Sequence, residues 1–360
     1  MREAIAGGKQ DIRTTLVTCF AIFGFEAFHG NLALAVAQIQ TGIALMGEWK
    51  ENYLRSRNPS SAPDDEVIET FLCLEIQIMG FHDKRLYETH AMLRTEYAEK
   101  IGNMPRIFTS PWPMWEATKY FYIVKKHLEH FLHVAKRLIS LCPGAGDEYS
   151  AGREHLLDEA RSYQVHHQAE LSQWHSAFKV TLASTDTEHD VDNKCRAAYL
   201  RLHFIASKLV LETVFATDEM IYDEYTAEFC DMIAVSTVLI ELCESRSMTT
   251  KWTFDISVIM PLYLIALKCR VGEIRRKAFE LLNRNSKREG IWDNVLVGKM
   301  AGWVRTIEEE KAVGDNVPGW ARVENVQSSF DLQNRSVEMK CRQRSGEGLV
   351  FQERSTTIVW

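Results

Sequence analysis

The sequence predicts an all-α fold, with helical hairpins stacked as a bundle or a solenoid-like array and a short C-terminal β appendage. Three observations carry this. From Val258 to Leu267 runs a nearly unbroken apolar stretch with one Pro, about ten residues long, too short to cross a bilayer and suited to a buried core helix. From Glu273 the pattern turns amphipathic, with Ile274, Ala278, Leu281 and Leu282 on one face and Arg275, Arg276, Lys277 and Arg284 on the other. Beyond Pro318 the period changes to rough alternation in ARVENV, SVEMKC and LVFQER, which reads as short strands. The chain therefore divides into a helical body over 1–312 and a β/loop extension over 313–360.

In chain order, two helical patterns between Asp11 and Trp49 flank His29-Gly30-Asn31, a helix-stop and turn signal, and form a hairpin. Its first arm is expected to bury Leu16, Phe20, Phe23 and Phe28. Its second carries Leu32, Leu34, Val36, Ile39, Ile43 and Leu45, with alanines between that let the arms approach closely. The polar segment Ser56 to Asp65 is a linker that ends by capping a helix over Val67 to Phe81. A loop containing Pro105, Pro111 and Pro113 follows, then a long helix from Trp115 to Leu141 closed by Cys142-Pro143-Gly144. Polar helices span about Asp147 to Leu182, and Thr185 to Asp192 is a second linker. Helices over Lys194 to Phe215 and Tyr222 to Cys243 lead to the central apolar helix. Pro261 is tolerated only in a first turn, so this helix starts near Ser257, capped by Asp255 or Ser257, and stops by Cys269. Asn283 to Gly290 breaks the chain before a last amphipathic helix to about Lys311.

Apolar residues make up 46% and charged residues 25% of the 360, ordinary globular values that leave no room for a long disordered region. The formal net charge of −7 argues against the chain as a whole binding nucleic acid, which needs clustered Lys and Arg. The eight cysteines are scattered, no two closer than thirteen positions, and are expected to be buried free thiols in a reducing compartment. Leu16 to Phe25 has the length of a signal-peptide core, but acidic Glu3 and Asp11 precede it and AFHGN offers no small-x-small cleavage pattern, so a buried first helix is expected. No stretch reaches eighteen apolar residues, so no membrane span is expected.

Candidate chemistry is sparse. His127, His130 and His133 in HLEHFLH cover an arc of about 120° on one helix, so all three could hardly meet on one metal, and a solvated or mixed face is expected instead. Glu26-x-x-His29 has the spacing of di-iron bundles but lacks the second Glu-x-x-His and the further Glu residues, and reads as a polar pair at a hairpin end. His166, His167 and His175 have the same weakness. No phosphate loop, G-x-S-x-G or zincin helix is present, so no catalytic residue, cofactor or metal is expected and no enzyme class is supported. The basic cluster Lys268, Arg270, Arg275, Arg276, Lys277, Arg284, Lys287 and Arg288 faces only Glu273 and Glu280, and is either a solvated helix face or a docking surface for an acidic partner.

The order PLYLIALKCR, IRRKAFELL, KREGIWDN resembles the C-terminal signature of the helical regulatory domain in fungal transcription factors of the zinc binuclear cluster type. CFAIFGFEAFHGNLALAVAQIQTGIALM is similar to that family's opening hairpin at Phe25, Glu26, Gly30, Asn31 and Gly42, so the matches bracket nearly the whole chain. The resemblance implies a nuclear transcriptional regulator, controlling a metabolic or secondary-metabolite pathway, whose helical body governs activity. It also implies protein partners, either a DNA-binding paralogue or the transcription machinery. There is no C-x-x-C, so the six-cysteine cluster that reads DNA in that family is not in this sequence, and DNA would be reached indirectly or through a cluster supplied from outside it. A truncated reading frame, a relative keeping only the regulatory body, and a partner subunit all fit. From a different class, a helical scaffold without a transcriptional role fits as well.

Overall fold

The computed structural model describes residues 12–56, 65–83, 85–100, 111–140, 150–185, 189–245, 252–254, 257–284, 288–312, 314, 317–346 and 350–360. Eleven α-helices lie among them: α1 (Ile12–His29), α2 (Leu32–Ser56), α3 (Asp65–His82), α4 (Tyr87–Lys100), α5 (Met114–Ser140), α6 (Ser150–Ser184), α7 (Val191–Thr213), α8 (Thr226–Ser245), α9 (Ile259–Lys268), α10 (Gly272–Asn283) and α11 (Asn294–Glu309). Short strands β1 (Trp252–Thr253), β2 (Arg288–Glu289) and β3 (Trp292–Asp293) form one small sheet, and β4 (Glu324–Asp331), β5 (Ser336–Arg344) and β6 (Phe351–Val359) an antiparallel one in sequence order. The fold is thus mostly all-α with a C-terminal β appendage, as the periodicities require.

The opening hairpin turns at Gly30, whose φ of 83° is the left-handed conformation that ends helices, and Asn31 N–H donates back to the Glu26 carbonyl at 2.8 Å. Leu16, Phe23, Val36 and Ile39 are buried as expected, but Phe28 and Leu34 are 65% and 55% exposed because they point away from the interface between the arms. Helix α3 reads as apolar on nearly every side because it lies between two cores. Phe71, Leu74, Ile78 and Phe81 enter the one built on α1, α2 and α7–α11, while Cys73 and Ile76 enter that of α5–α7, around Phe121, Phe131 and Trp174.

The segment after Phe81, expected as loop, contains α4, a weakly patterned polar helix that packs on α5. The polar helices expected over Asp147 to Leu182 are one 35-residue helix, α6. The second linker ends in a cap: the Asp190 carboxylate accepts from Asp192 N–H and Asn193 N–H at the start of α7. Residues 57–64 of the first linker, Pro105, and the expected stop at Cys142-Pro143-Gly144 fall outside the described residues.

Helix α9 starts two residues after Ser257 with Pro261 in its first turn and stops at Cys269. Its N-terminal position is Val258, without a side-chain bond of its own, and not Ser257; Asp255, the other expected cap, lies outside the described residues. Glu289 does the capping from β2. Gln77 of α3 ties the small sheet in, donating to the Phe254 carbonyl at 2.8 Å and accepting from Ile291 N–H at 3.2 Å. A third core joins α11 (Leu296, Met300, Val304, Ile307) to the C-terminal sheet, where Val337, Met339 and Cys341 alternate inward along β5. Cys19, Cys73, Cys269 and Cys341 are buried free thiols as expected, whereas Cys195 and Cys243 are half-buried and Cys230 is exposed.

Candidate functional site

The expected basic face is divided: Arg270 and Arg275 are buried, Lys268 and Arg288 half-buried, and Arg276, Lys277 and Arg284 exposed. The sequence pattern puts Arg275 on the polar face of α10, yet Arg275 is buried, its Nε donating to the Ala266 carbonyl at 2.9 Å and its Nη2 lying 2.8 Å from Glu308 of α11. Arg270, in the turn between α9 and α10, donates from Nη2 to the other Glu308 oxygen at 2.6 Å and to Glu219 at 3.2 Å. Lys268 reaches Glu219 at 2.5 Å, Arg284 pairs with Glu244 and Arg288 with Asp293. Carboxylates from distant sequence thus pair with Lys268, Arg270, Arg275 and Arg284, and a nearer one with Arg288, so Glu273 and Glu280 are not the cluster's only acidic neighbours. Arg276 and Lys277 stay exposed, as a solvated face would have them, and Lys287 falls outside the described residues.

Glu308 is fully buried. Burial alone would raise its carboxyl, but the Arg270 and Arg275 charges and the Val323 N–H, donating at 2.9 Å, hold it below the usual carboxylate range. This network borders a cavity of about 330 Å³ lined by Arg270, Gly272, Arg275, Arg276, Arg305 and Glu309, together with Ala312, Gly314 and Val317. Arg305 and Glu309 bond each other at 2.7 Å along the α11 surface. Glu308, Glu219 and Arg305 escape sequence reasoning, since each lies in an ordinary helical pattern and only the tertiary fold brings it to the arginines.

The histidines of HLEHFLH do not share a centre, and they are not a solvated face. His127 and His130 are buried. His127 bonds Glu170 of α6 at 2.9 Å, and His167 bonds the other oxygen of Glu170 at 3.2 Å. These two bonds outweigh burial, which would raise the Glu170 carboxyl, and keep it low. His130 Nδ1 lies 2.9 Å from His90 Nδ1 of α4, and His133 Nε2 donates to the Met79 carbonyl at 3.0 Å. Burial, then the charges of Arg85 and Lys126, push His130 down to about 2. His166 is exposed and His175 stacks on Phe204 at 3.9 Å, so neither joins His167 in a site.

Asp83, His90 and His133 bring three ligand atoms within 4.8 Å of one another. Their geometry does not fit an ion as they stand. The His90 and His133 rings stack 4.4 Å apart at an interplanar angle of 5°, so their in-plane lone pairs lie in two nearly parallel planes and do not converge on one point. Asp83 is already held by Arg85, which donates from Nη2 at 2.6 Å and from Nε at 3.0 Å. Glu26 and His29 do not meet either: Glu26 accepts from Asn31 Nδ2 at 2.7 Å, and His29 Nδ1 donates to the Phe25 carbonyl at 2.8 Å.

No described helix is long and apolar enough to cross a membrane. No family model matches the chain, and no solved structure matches it significantly. Over 67 residues, 19% of this chain, it is 32% identical to the aspercryptin biosynthesis cluster-specific transcription regulator of Emericella nidulans. The match covers 11% of that regulator's length. A region of this mostly helical chain is therefore similar to a fungal cluster-specific transcription regulator.

Proposed function

We propose that the chain is the helical regulatory body of a transcriptional regulator of the zinc binuclear cluster type, acting in the nucleus on a metabolic or secondary-metabolite pathway. The observation that carries this reading is the similarity to a cluster-specific regulator, in a chain whose two motif-bearing segments lie in one core. The opening hairpin contributes Leu16, Phe23 and Ile39, and the central block Leu262, Ile265 and Leu282. The body does not read DNA itself: the net charge is −7, and Lys268, Arg270, Arg275, Arg284 and Arg288 of the basic cluster pair with carboxylates of the same chain. Contact with promoters passes through a DNA-binding partner or a zinc cluster outside this sequence.

The test is a tethering assay. Fused to a heterologous DNA-binding domain in a yeast reporter strain, the chain is expected to change transcription from the tethered promoter, and a fluorescent fusion to concentrate in nuclei. A reporter unchanged by a stably expressed fusion overturns the reading. A second reading, a helical interaction module without a transcriptional role, draws on Phe25 and Phe28, which are 60% and 65% exposed beside the hairpin turn. It predicts stable association with a partner and a silent reporter.

A further inference from the structure

We propose that β6, an edge strand of the C-terminal sheet, pairs antiparallel with β6 of a second copy of this chain, so that the two sheets continue as one. The order β4-β5-β6 leaves both outer strands as edges. The two edges differ. Strand β4 is interrupted by a register shift between Glu324 and Gln327, with Asn325 in the left-handed region at φ 52°, and its Phe330 ring stacks on Phe81 of α3 at 4.1 Å. Strand β6 pairs with β5 without a break over all nine of its residues, FQERSTTIV, and carries no Pro, Lys or bulge to blunt it.

The ladder determines which backbone groups β6 leaves open. Ser345 N–H donates to the Val350 carbonyl at 2.9 Å and Trp360 N–H to the Arg335 carbonyl at 3.1 Å, so the hydrogen-bonded pairs with β5 fall on the even positions of β6. The odd positions, Phe351, Glu353, Ser355, Thr357 and Val359, therefore turn N–H and C=O away from β5. Among the described residues one of these groups has a partner, the Val359 carbonyl, which accepts from Lys299 Nζ at 3.2 Å. Glu353, Ser355, Thr357 and Val359 are exposed, so a further strand can reach them.

The charges of the strand select a copy of itself as the occupant. Turned about a two-fold axis at Ser355, β6 meets its own copy over its whole length with outward groups facing outward groups: Phe351 opposite Val359, Glu353 opposite Thr357, and Ser355 opposite Ser355. Moving the axis to Arg354 or to Glu353 would set like charges directly opposite, which is destabilising, and moving it to Thr356 would leave Phe351 unpaired. In the full register the Phe351 ring meets Val359 of the copy, an aromatic and β-branched pair, and Phe351 N–H takes the place of Lys299 at the Val359 carbonyl. The axis stands perpendicular to the sheet, so both copies keep α11 on the same face of it.

The pairing rests on the C-terminal sheet and does not depend on the transcriptional reading. It is tested on the purified full chain by sedimentation velocity over about 1–100 μM, where a reversible monomer–dimer equilibrium is expected. Ser355→Pro removes the outward N–H at the axis from both copies while leaving every bond to β5 in place, and should weaken the dimer about tenfold or more. Thr357→Lys, opposite Glu353 of the copy, should tighten it about threefold to tenfold and Thr357→Glu loosen it by a similar factor, since the pair occurs twice about the axis. Thr357 also faces Glu338 of β5, so the readout is the dissociation constant and not thermal stability. Gln327→Ala, exposed on the opposite edge, should leave the dimer unchanged. A chain that stays monomeric throughout this range overturns the proposal and leaves the edge to a strand of another protein. A dimer that Ser355→Pro leaves intact overturns it as well, by placing the contact elsewhere. Should Ser355→Pro not fold, the Thr357 variants decide: opposite shifts support the register, and equal dissociation constants overturn it.

Discussion

The Glu289 carboxylate accepts the backbone N–H of Val258 at 3.0 Å across 31 residues of sequence, and its other oxygen accepts Ser257 N–H at 2.7 Å and Ile259 N–H at 3.1 Å. One buried side chain thus satisfies three N–H groups at the start of the central helix, whose N-terminal position, Val258, supplies no side-chain cap. Glu289→Ala is expected to lower stability by about 1.5–3 kcal/mol, the scale of hydrogen bonds to a charged acceptor. Glu280→Ala, on the exposed face of α10, should stay within about 0.5 kcal/mol. Urea unfolding of both variants checks the contrast; equal small effects would mean that the cap does not stabilise α9.

Within α9 the burial runs through Leu262 and Ile265, both fully buried, while Leu264 is half-buried at the edge of the same core. Leu262→Ala is therefore expected to cost about 2–5 kcal/mol and Leu264→Ala clearly less. Unfolding midpoints in denaturant give the order. A larger loss at Leu264 would contradict the assigned face of the helix.

Much of this arrangement was legible in the sequence because it is local. Gly30 after a helical pattern, the apolar run at Val258 to Leu267 and the alternation in SVEMKC each determine their own element. What escaped is tertiary. Arg275 sits at a position that a helical wheel assigns to solvent, and only Glu308, 33 positions later, makes its burial tolerable. His130 likewise looks like one of three equivalent histidines until α4, hidden in a polar stretch, supplies His90. The capping role of Glu289 has no local signal, since its acceptors serve backbone far away in sequence.

Glu308 holds Arg270 at 2.6 Å and Arg275 at 2.8 Å with all three side chains buried. Removing one member leaves uncompensated buried charge, so Glu308→Ala is expected to cost about 3–5 kcal/mol. Replacing Glu308, Arg270 and Arg275 together by apolar residues of similar size should recover much of that loss. Chemical denaturation of the single and triple variants decides; a triple variant no more stable than Glu308→Ala would show that the charges themselves hold α9, α10 and α11 together.

His90, His130 and His203 are buried, and burial is the first cause that pushes them from 6.5 to about 4, about 2 and about 3. Nearby charges add to it, His133 and Arg85 at His90, Arg85 and Lys126 at His130, and Lys125 at His203, while Asp83 at His90 and the Ser257 carbonyl at His203 oppose it. The unfolded chain takes up protons near pH 6.5 that the folded chain refuses until its lower values. The stability these groups contribute is therefore complete above pH 6.5 and lost as pH falls toward 4 and below. With all three engaged the slope approaches ~4 kcal/mol per pH unit, at ~1.4 for each proton. Urea titrations from pH 7 to 5 measure it, and His130→Gln should make it shallower. A flat profile over this range would mean that the three imidazoles are protonated in the fold.

Two glycines of α2 make a paired test of packing against propensity. At Gly42 an added Cβ would collide with the ring of Phe71, which is itself buried and stacked on Phe20 at 4.2 Å, so the ring has no room to give way. At Gly47, five residues further along the same helix and exposed, an added Cβ meets nothing within 4 Å. Alanine lowers the conformational freedom of the unfolded chain equally at both positions, a gain of roughly 0.5–1 kcal/mol in a helix. Gly47→Ala should keep that gain and raise the unfolding midpoint. Gly42→Ala adds overpacking of about 1–3 kcal/mol where α2 crosses α3, and should lower it. Differential scanning calorimetry of the two variants beside the parent chain gives both signs, and a Gly42→Ala protein as stable as Gly47→Ala would mean that α2 and α3 do not pack as closely as Gly42 against Phe71 requires.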